Sequence, residues 1–310
     1  MQKKTILITG SNGLLGQKLV YKLLGREDFY CIATARGENR LLRQTGYTFH
    51  SMDASDRGSV QSVFVEVKPD VVIHTAAMTN VDACELNKEE AKLQNEIAVN
   101  NIVQVLESLS NSEYQPHLIH LSTDFIFDGT RGPITEDEIP NPLSYYAETK
   151  RNAEEIVKSS KLKWSIARTV LVYGLVDNMS RSNIVLWAKG ALEKGQIIHV
   201  VDDQFRTPTL AEDLADGCIL LAEKGSSGIF NISGKDFMSI LELVLRVAKF
   251  WNLDQNLIKP SKSSSINQPA KRPPITGFII EKAERVLGYK PHSFEEGLAI
   301  LSHQLNEINY

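Results

Sequence analysis

Apolar residues along this chain fall into two rhythms. Short apolar runs alternate with stretches of helical spacing through the first 172 residues. Ile6, Leu7 and Ile8 form one run, the mark of a strand buried on both faces. Leu19, Val20, Leu23 and Leu24 come next at helical spacing. The same reading predicts strands at 30–35, 48–52, 70–74, 117–121 and 164–168, and helices at 59–67, 88–108 and 145–159. Strands alternating with helices imply βαβ units, hence a doubly wound parallel sheet, Rossmann-like α/β, with both faces covered. Beyond residue 172 the pattern is more mixed. Helices are predicted at 182–193, 210–222, 240–251, 280–287 and 294–305, and strands at 197–201 and 228–232. The Ser-, Pro- and Lys-rich stretch 259–274 reads as a long loop. The domain expectation is a dinucleotide-binding domain over 1–172 with a return segment at about 208–234. A smaller mixed substrate cap takes 173–207 and 235–310. A ligand belongs in the crevice at the carboxyl ends of the strands.

Composition changes this picture little. The chain has 310 residues, 42% hydrophobic and 23% charged, with a net charge of −4. That is ordinary for a globular protein with room for two lobes. No basic face stands out, so nucleic acid is not an expected partner. No apolar run is long enough to span a bilayer, so no membrane partner is expected. The short apolar run near the N-terminus ends in glycines without a small-residue cleavage site, so it is not read as a signal peptide. Cys31, Cys84 and Cys218 are odd in number and scattered, which suits a cytoplasmic location. None of the seven histidines pairs with Cys or Glu at ligand spacing, so no metal site is expected. Trp187 and Trp251 fall on apolar helix faces and are expected in the core.

Chemistry concentrates at the predicted strand ends. Gly10, Gly13 and Gly16 come directly after the first strand and open a helix. In such a turn the first glycine permits the sharp bend, the second lets backbone approach a pyrophosphate, and the third lets helix and strand pack closely. Tyr146 and Lys150 lie at i and i+4, on one helix face. A lysine ammonium beside a phenol would lower its pKa and make a proton donor useful near neutral pH. Ser122 and Thr123 succeed the strand 117–121, where a hydroxyl could hydrogen-bond a substrate carbonyl. After the second strand come Arg36 and, a turn later, Arg40, with no carboxylate before Glu38. An acidic residue there would favour NAD. Arginine suits a phosphate, so NADPH is expected over NADH, with NADH left open.

These residues together resemble a known family, the extended short-chain dehydrogenases/reductases, and within it the dTDP-4-dehydrorhamnose reductase branch. The resemblance covers nearly the whole chain. It rests on Gly10–Gly16, Ala76-Ala-Met-Thr-Asn-Val-Asp82, Leu121-Ser-Thr-Asp-Phe-Ile-Phe-Asp-Gly129, Asn141-Pro-Leu-Ser-Tyr-Tyr-Ala-Glu-Thr-Lys150, Arg168-Thr-Val-Leu-Val-Tyr-Gly174 and Asp203-Gln-Phe-Arg-Thr-Pro-Thr209. It implies NAD(P)H-dependent reduction of the 4-keto group of a nucleotide-linked 6-deoxy sugar. Thr123 takes the family's Ser/Thr position, Tyr146 that of the proton donor and Lys150 that of the ribose-binding lysine. Thr123 is preferred to Ser122 because Asp124-Phe-Ile-Phe127 matches the family's Asp-aromatic-Val-Phe segment. Gly10, Asn12, Gly13, Leu14, Leu15 and Gly16 would meet the cofactor's phosphates, Arg36, Asp53 and Ala54 its adenosine end, and Ala76, Ala77 and Leu121 its channel. Asp124, Leu171 and Arg206 would join Thr123 around the sugar nucleotide, with Arg206, and less so Lys271 and Arg272, near a diphosphate. Asn100 fits the family's structural asparagine behind the site.

Two departures stand out. Val170 and Leu171 replace the family's Ser-Trp, and Ala147 replaces the glycine after the tyrosine. The same motifs, including the segment Phe205–Thr209, also resemble the regulatory subunit of methionine adenosyltransferase, which binds NADP in the same fold and acts as a partner; the lost tryptophan favours this second resemblance. A third reading, a sugar-nucleotide epimerase, needs tightly held NAD and so an acidic residue after the second strand. The partner expected on the first reading is a nucleotide sugar, and a homodimer is left open.

Overall fold

The computed structural model describes residues 3–178, 182–266 and 268–308. Six strands take the predicted order: β1 (Lys4–Thr9), β2 (Phe29–Ala35), β3 (Thr48–Ser51), β4 (Val71–His74), β5 (His117–Thr123) and β6 (Lys163–Thr169). With Gly228–Asn231 they make one seven-stranded sheet, ordered Gly228–Asn231, β6, β5, β4, β1, β2, β3. Every pairing in it is parallel. The order reverses beside β1, between β2 and β4, which opens the crevice the glycine turn sits in.

Helices cover both faces. The intervening helices are α1 (Leu14–Leu23), α2 (Arg57–Val67), α3 (Val81–Leu86), α4 (Lys88–Lys92), α5 (Ala98–Leu109) and α6 (Tyr145–Lys158). Further on come α7 (Ile184–Glu193), α8 (Ala211–Lys224), α9 (Ile240–Phe250), α10 (Glu281–Leu287) and α11 (Phe294–Ile308). Ile6, Ile8, Val71 and Ile73 pack with Leu19, Leu214 and Leu287 on one face. Leu7, Val72 and Leu118 pack with Phe64, Ile102 and Ala153 on the other. Alternate residues of each strand thus feed opposite cores, as the pleat requires.

A further core is built on Val185, Leu192, Leu243, Val244, Val247, Leu298 and Leu301 from α7, α9 and α11. Ile280, Ala283, Leu287 and Tyr289 belong instead to the core against the sheet, so α10 returns to the first lobe. The stretch expected as loop begins as a strand: Ile258–Ser261 pairs in parallel with Ile198–Val201. Only Ile258 of its four residues is buried, so its apolar pattern is too thin to read. Trp187 is 43% exposed, against expectation. α7 buries Val185, Ala188 and Leu192, and Trp187 stands two residues, about 200°, away from Val185. Trp251 closes α9 and is half-buried.

The helix expected at 88–108 is interrupted by one π-helical turn, Leu93–Ile97. Such a turn inserts an extra residue and rotates the rest of the helix about its axis. Here it turns Asn95 inward. Its Nδ2 donates to the Met78 carbonyl (3.1 Å) and to Thr149 Oγ1 (3.0 Å), and its Oδ1 accepts from Met78 N (2.8 Å). The asparagine behind the site is therefore Asn95, and Asn100 does not fill that place.

Candidate active site

Gly10 has φ +69°, where a side chain is strained, and a Cβ there would lie 2.8 Å from Ala76 N. A Cβ on Gly16 would overlap the Gly10 carbonyl, so α1 can pack on β1 only with glycine there. α1 opens at Gly13 with no side-chain cap and no acidic residue in its first turn. Its first amide groups and its positive end are left for an anion. These features fit the pyrophosphate of a dinucleotide. The Asn12 side chain is a bracket: Nδ2 donates to the Glu38 carbonyl (2.8 Å) and Oδ1 accepts from Arg40 N (2.9 Å). It ties the turn to the loop that carries Arg36 and Arg40.

The turn lines a cleft of about 820 Å³ that runs from Arg36 to Tyr146. Gly10, Asn12, Gly13, Leu14, Leu15 and Gly16 form its floor. Arg36, Asp53 and Ala54 stand at one end, and Ala76, Ala77 and Leu121 along its length. Thr123, Asp124, Tyr146, Lys150 and Leu171 stand at the other. Arg36 is mostly exposed and 4.0 Å from Asp53, a loose pair that leaves its fork open to a phosphate. The Asp53–Ser55 turn is held by Asn101, whose Nδ2 donates to the carbonyls of Ala54 (3.1 Å) and Ser55 (3.0 Å). Leu171 has φ +39°, an uncommon conformation for leucine, where the chain leaves β6.

Thr123 ends β5. Its Oγ1 donates to Asp124 Oδ1 (3.1 Å) and accepts from Phe125 N (3.2 Å). Ser144 caps α6 by accepting from Ala147 N (3.4 Å), which sets Tyr146 in the first turn facing Thr123. The Tyr146 phenol is buried and edge-on to Phe125, with Thr123 and Asp124 near enough to act on its ionisation. Ser122 is buried beside Glu154.

The lysine effect expected on Tyr146 is absent. Burial pushes the phenol well above its usual range; the Thr123 hydroxyl opposes this and the nearby Asp124 charge adds to it. Lys150 Nζ reaches past the phenol to donate to the Leu121 carbonyl (2.6 Å). Sharing a helix face leaves a long side chain free to choose its own partner, so spacing alone did not decide this. Burial pushes the Lys150 ammonium down to about 8, against the opposing charge of Glu154. Glu154 itself is fully buried. Burial opposes its ionisation, but the Arg168 fork at 2.9 and 2.8 Å outweighs that, and its carboxyl lies below the usual range. This pair bolts α6 to β6.

Arg206 does not line the cleft. It is 2% exposed, and its guanidinium donates to the carbonyls of Phe205 (2.7 Å), Pro274 (3.1 Å) and Pro273 (2.7 Å). The expected diphosphate contact is thus replaced by a backbone clamp, because three carbonyls converge on the one planar fork. Arg272 is committed to Asp82 (2.6 and 3.2 Å), and Lys271 is exposed. Among the described residues no group of three His, Cys, Asp or Glu side chains is placed to hold a metal. No described helix is long and apolar enough to cross a membrane. None of the three cysteines forms a disulfide, and all are buried.

A glycine turn at the switch point of a doubly wound sheet, with Thr, Tyr and Lys at its far end, defines a nucleotide-binding fold of the extended short-chain dehydrogenase/reductase class. The family model described as "RmlD substrate binding domain" matches residues 4–307, and the chain belongs to that family. It is similar to the structure of a dTDP-4-dehydrorhamnose reductase from Clostridium acetobutylicum: 29% identity, TM-score 0.84, 97% of this chain and 99% of that one. A dTDP-4-dehydrorhamnose reductase from Bacillus anthracis, solved with NADP, matches at 26% identity and TM-score 0.81, over 98% of this chain and all of that one. The beta subunit of methionine adenosyltransferase 2 from Bos taurus is 28% identical over 268 residues, 85% of this chain and 77% of that protein.

Proposed function

We propose that this protein is an NADPH-dependent reductase of the 4-keto group of a nucleotide-linked 6-deoxy sugar. The observation that carries this is the meeting, in one cleft, of Thr123, Tyr146 and Lys150 with the open start of α1. The fit of the glycine turn to a pyrophosphate and the NADP-bound relative support the cofactor. Gly13, Leu14 and Leu15 would hold its phosphates, Arg36 a 2′-phosphate, and Lys150 its nicotinamide ribose. Bound there, the dihydronicotinamide supplies a hydride to the keto carbon. Tyr146, whose pKa burial raises, gives its phenolic proton to the oxygen as that oxygen becomes an alkoxide. The carbonyl oxygen then lies between the hydroxyls of Tyr146 and Thr123.

The test is loss of NADPH absorbance on adding dTDP-4-keto-6-deoxyhexose to purified protein, with UDP- and GDP-linked analogues beside it. Turnover of at least one supports the reading, and none with any sugar nucleotide ends it. A second reading, an NADP-binding regulatory subunit, is favoured by Leu171 standing where the reductase branch has tryptophan and by the methionine adenosyltransferase relative. Co-elution with a catalytic partner, without turnover, would support it instead.

A further inference from the structure

The rim that carries Arg36 and Arg40 has a second anchor, from the other half of the chain. Residues 175–178 follow Gly174 and lie against α1. Gln17, 1% exposed on α1, fixes their backbone. Its Oε1 accepts from Asp177 N (2.8 Å), and its Nε2 donates to the Asp177 carbonyl (3.2 Å). With its main chain held, Asp177 turns its carboxyl to two other elements. One oxygen, Oδ2, accepts from the Tyr21 hydroxyl and from Leu42 N (3.0 Å). Beside it, Asn178 Nδ2 donates to the Arg40 carbonyl (3.1 Å). Asn178 has φ +50°, a left-handed conformation that asparagine adopts more readily than most residues.

Arg40 is thereby held at both ends of its main chain. Its N–H donates to Asn12 Oδ1 (2.9 Å) on the glycine turn, and its carbonyl accepts from Asn178. Leu41 is buried and pins the next residue, and Leu42 N is hooked by Asp177. The Arg40 side chain is exposed, and with Arg36 it lines the cleft. Ordering a long exposed side chain on a free loop costs conformational entropy. A main chain fixed on both sides leaves less ordering to be done when a phosphate arrives. Burial and the hydrogen bond to Asp177 push the Tyr21 phenol up to about 12, so it keeps its proton to donate in this pair.

We propose that Asp177 and Asn178 are positioning residues for the adenosine end of the cofactor, holding the Arg40 loop so that its rim meets a nucleotide 2′-phosphate in one fixed arrangement. The ligand class is an adenine nucleotide phosphorylated at the ribose 2′ position. Neither side chain lines the cleft, so both act through the loop and not by touching the ligand. The contacts join residues 135 and 138 positions apart. The segment that leads on toward α7 therefore decides how well a loop near the N-terminus reads a phosphate. This rests on the NADPH reading above, because the 2′-phosphate is what separates NADPH from NADH. It does not depend on turnover of any sugar.

The experiment titrates 2′-phospho-ADP-ribose and ADP-ribose into wild type, Asp177→Ala, Asp177→Asn and Asn178→Gly by calorimetry, with a thermal melt of each. Both probes carry the adenosine end without the nicotinamide. Wild type should bind the 2′-phosphorylated probe more tightly. Asp177→Ala should weaken that probe by about 5- to 20-fold and leave ADP-ribose within about twofold. Asp177→Asn keeps an oxygen able to accept from both Tyr21 and Leu42 N, and should recover most of the loss. Asn178→Gly drops the bond to Arg40 but keeps the left-handed backbone, and should show the same selective loss. It carries the test if the Asp177→Ala chain melts too low to titrate. Unchanged binding of the 2′-phosphorylated probe in the folded variants overturns the proposal. An equal loss for both probes, as general support of α1 would give, overturns it too, as does an Asp177→Asn variant as weak as Asp177→Ala. A wild type that binds both probes alike overturns the NADPH preference and the proposal with it, whereas an intact preference that the variants do not move overturns the proposal alone.

Discussion

Burial pushes the Tyr146 phenol well above its usual range, so it stays a proton donor at more alkaline pH than a free phenol. Tyr146→Phe should therefore lower kcat by about 10²- to 10⁴-fold while leaving NADPH affinity close to wild type. Steady-state turnover with a fluorescence titration of NADPH checks both halves. Lys150 gives the pH dependence its sign. Its pKa is pushed down to about 8 from 10.5, so its charge is lost as pH rises through about 8. NADPH affinity should fall over that range, and in Lys150→Met it should be lower and flat with pH. Between about 8 and 10.5 the unfolded chain binds more protons than the folded one, so this lysine's contribution to stability rises with pH. Arg206 carries the opposite lesson. A cation between lobes is an obvious phosphate ligand until its three carbonyl partners are seen.

At the scale of elements, α6 is the part that must not move, because it carries both Tyr146 and Lys150. It is fixed to β6 by Glu154 and Arg168, 0% and 1% exposed. Breaking a buried pair leaves one charge without a partner. Glu154→Gln should cost about 3–5 kcal/mol in a urea unfolding titration and reduce turnover with it. A loss under about 1 kcal/mol would show the pair to be dispensable. The π turn at Leu93–Ile97 braces the same helix, since Asn95 reaches Thr149 on α6. The resemblance placed that asparagine at Asn100, while the turn brings Asn95 inward instead. The helix period there is not 3.6, and a pattern that assumes it drifts out of phase.

For the whole molecule, the proposed preference for NADPH rests on the rim that Asn12 ties together. Arg36 meets the cleft from the end of β2, and Arg40 hangs from the same loop. Wild type should be stabilised more by NADPH than by NADH at equal concentration. Saturation at 100 Kd adds about 2.7 kcal/mol, which a thermal-shift assay reads easily. Arg36→Ala should weaken NADPH and leave NADH nearly unchanged. Equal shifts with both cofactors in wild type would remove the preference.

The order of strands and helices in the first lobe, the glycine turn and the Tyr146–Lys150 pair are all local facts. Each depends on a period or a spacing within a few residues, and sequence carries those directly. What the fold decided joins residues that sequence keeps apart. Asp124 meets Thr276 across 152 residues, Arg206 meets Pro273 across 67, and Asn95 meets Thr149 across 54. Burial decided the rest. It raised the phenol that spacing suggested would be lowered, and sent Lys150 to the Leu121 carbonyl. Solvent exclusion and long-range partners belong to the folded chain, so no window of sequence contains them.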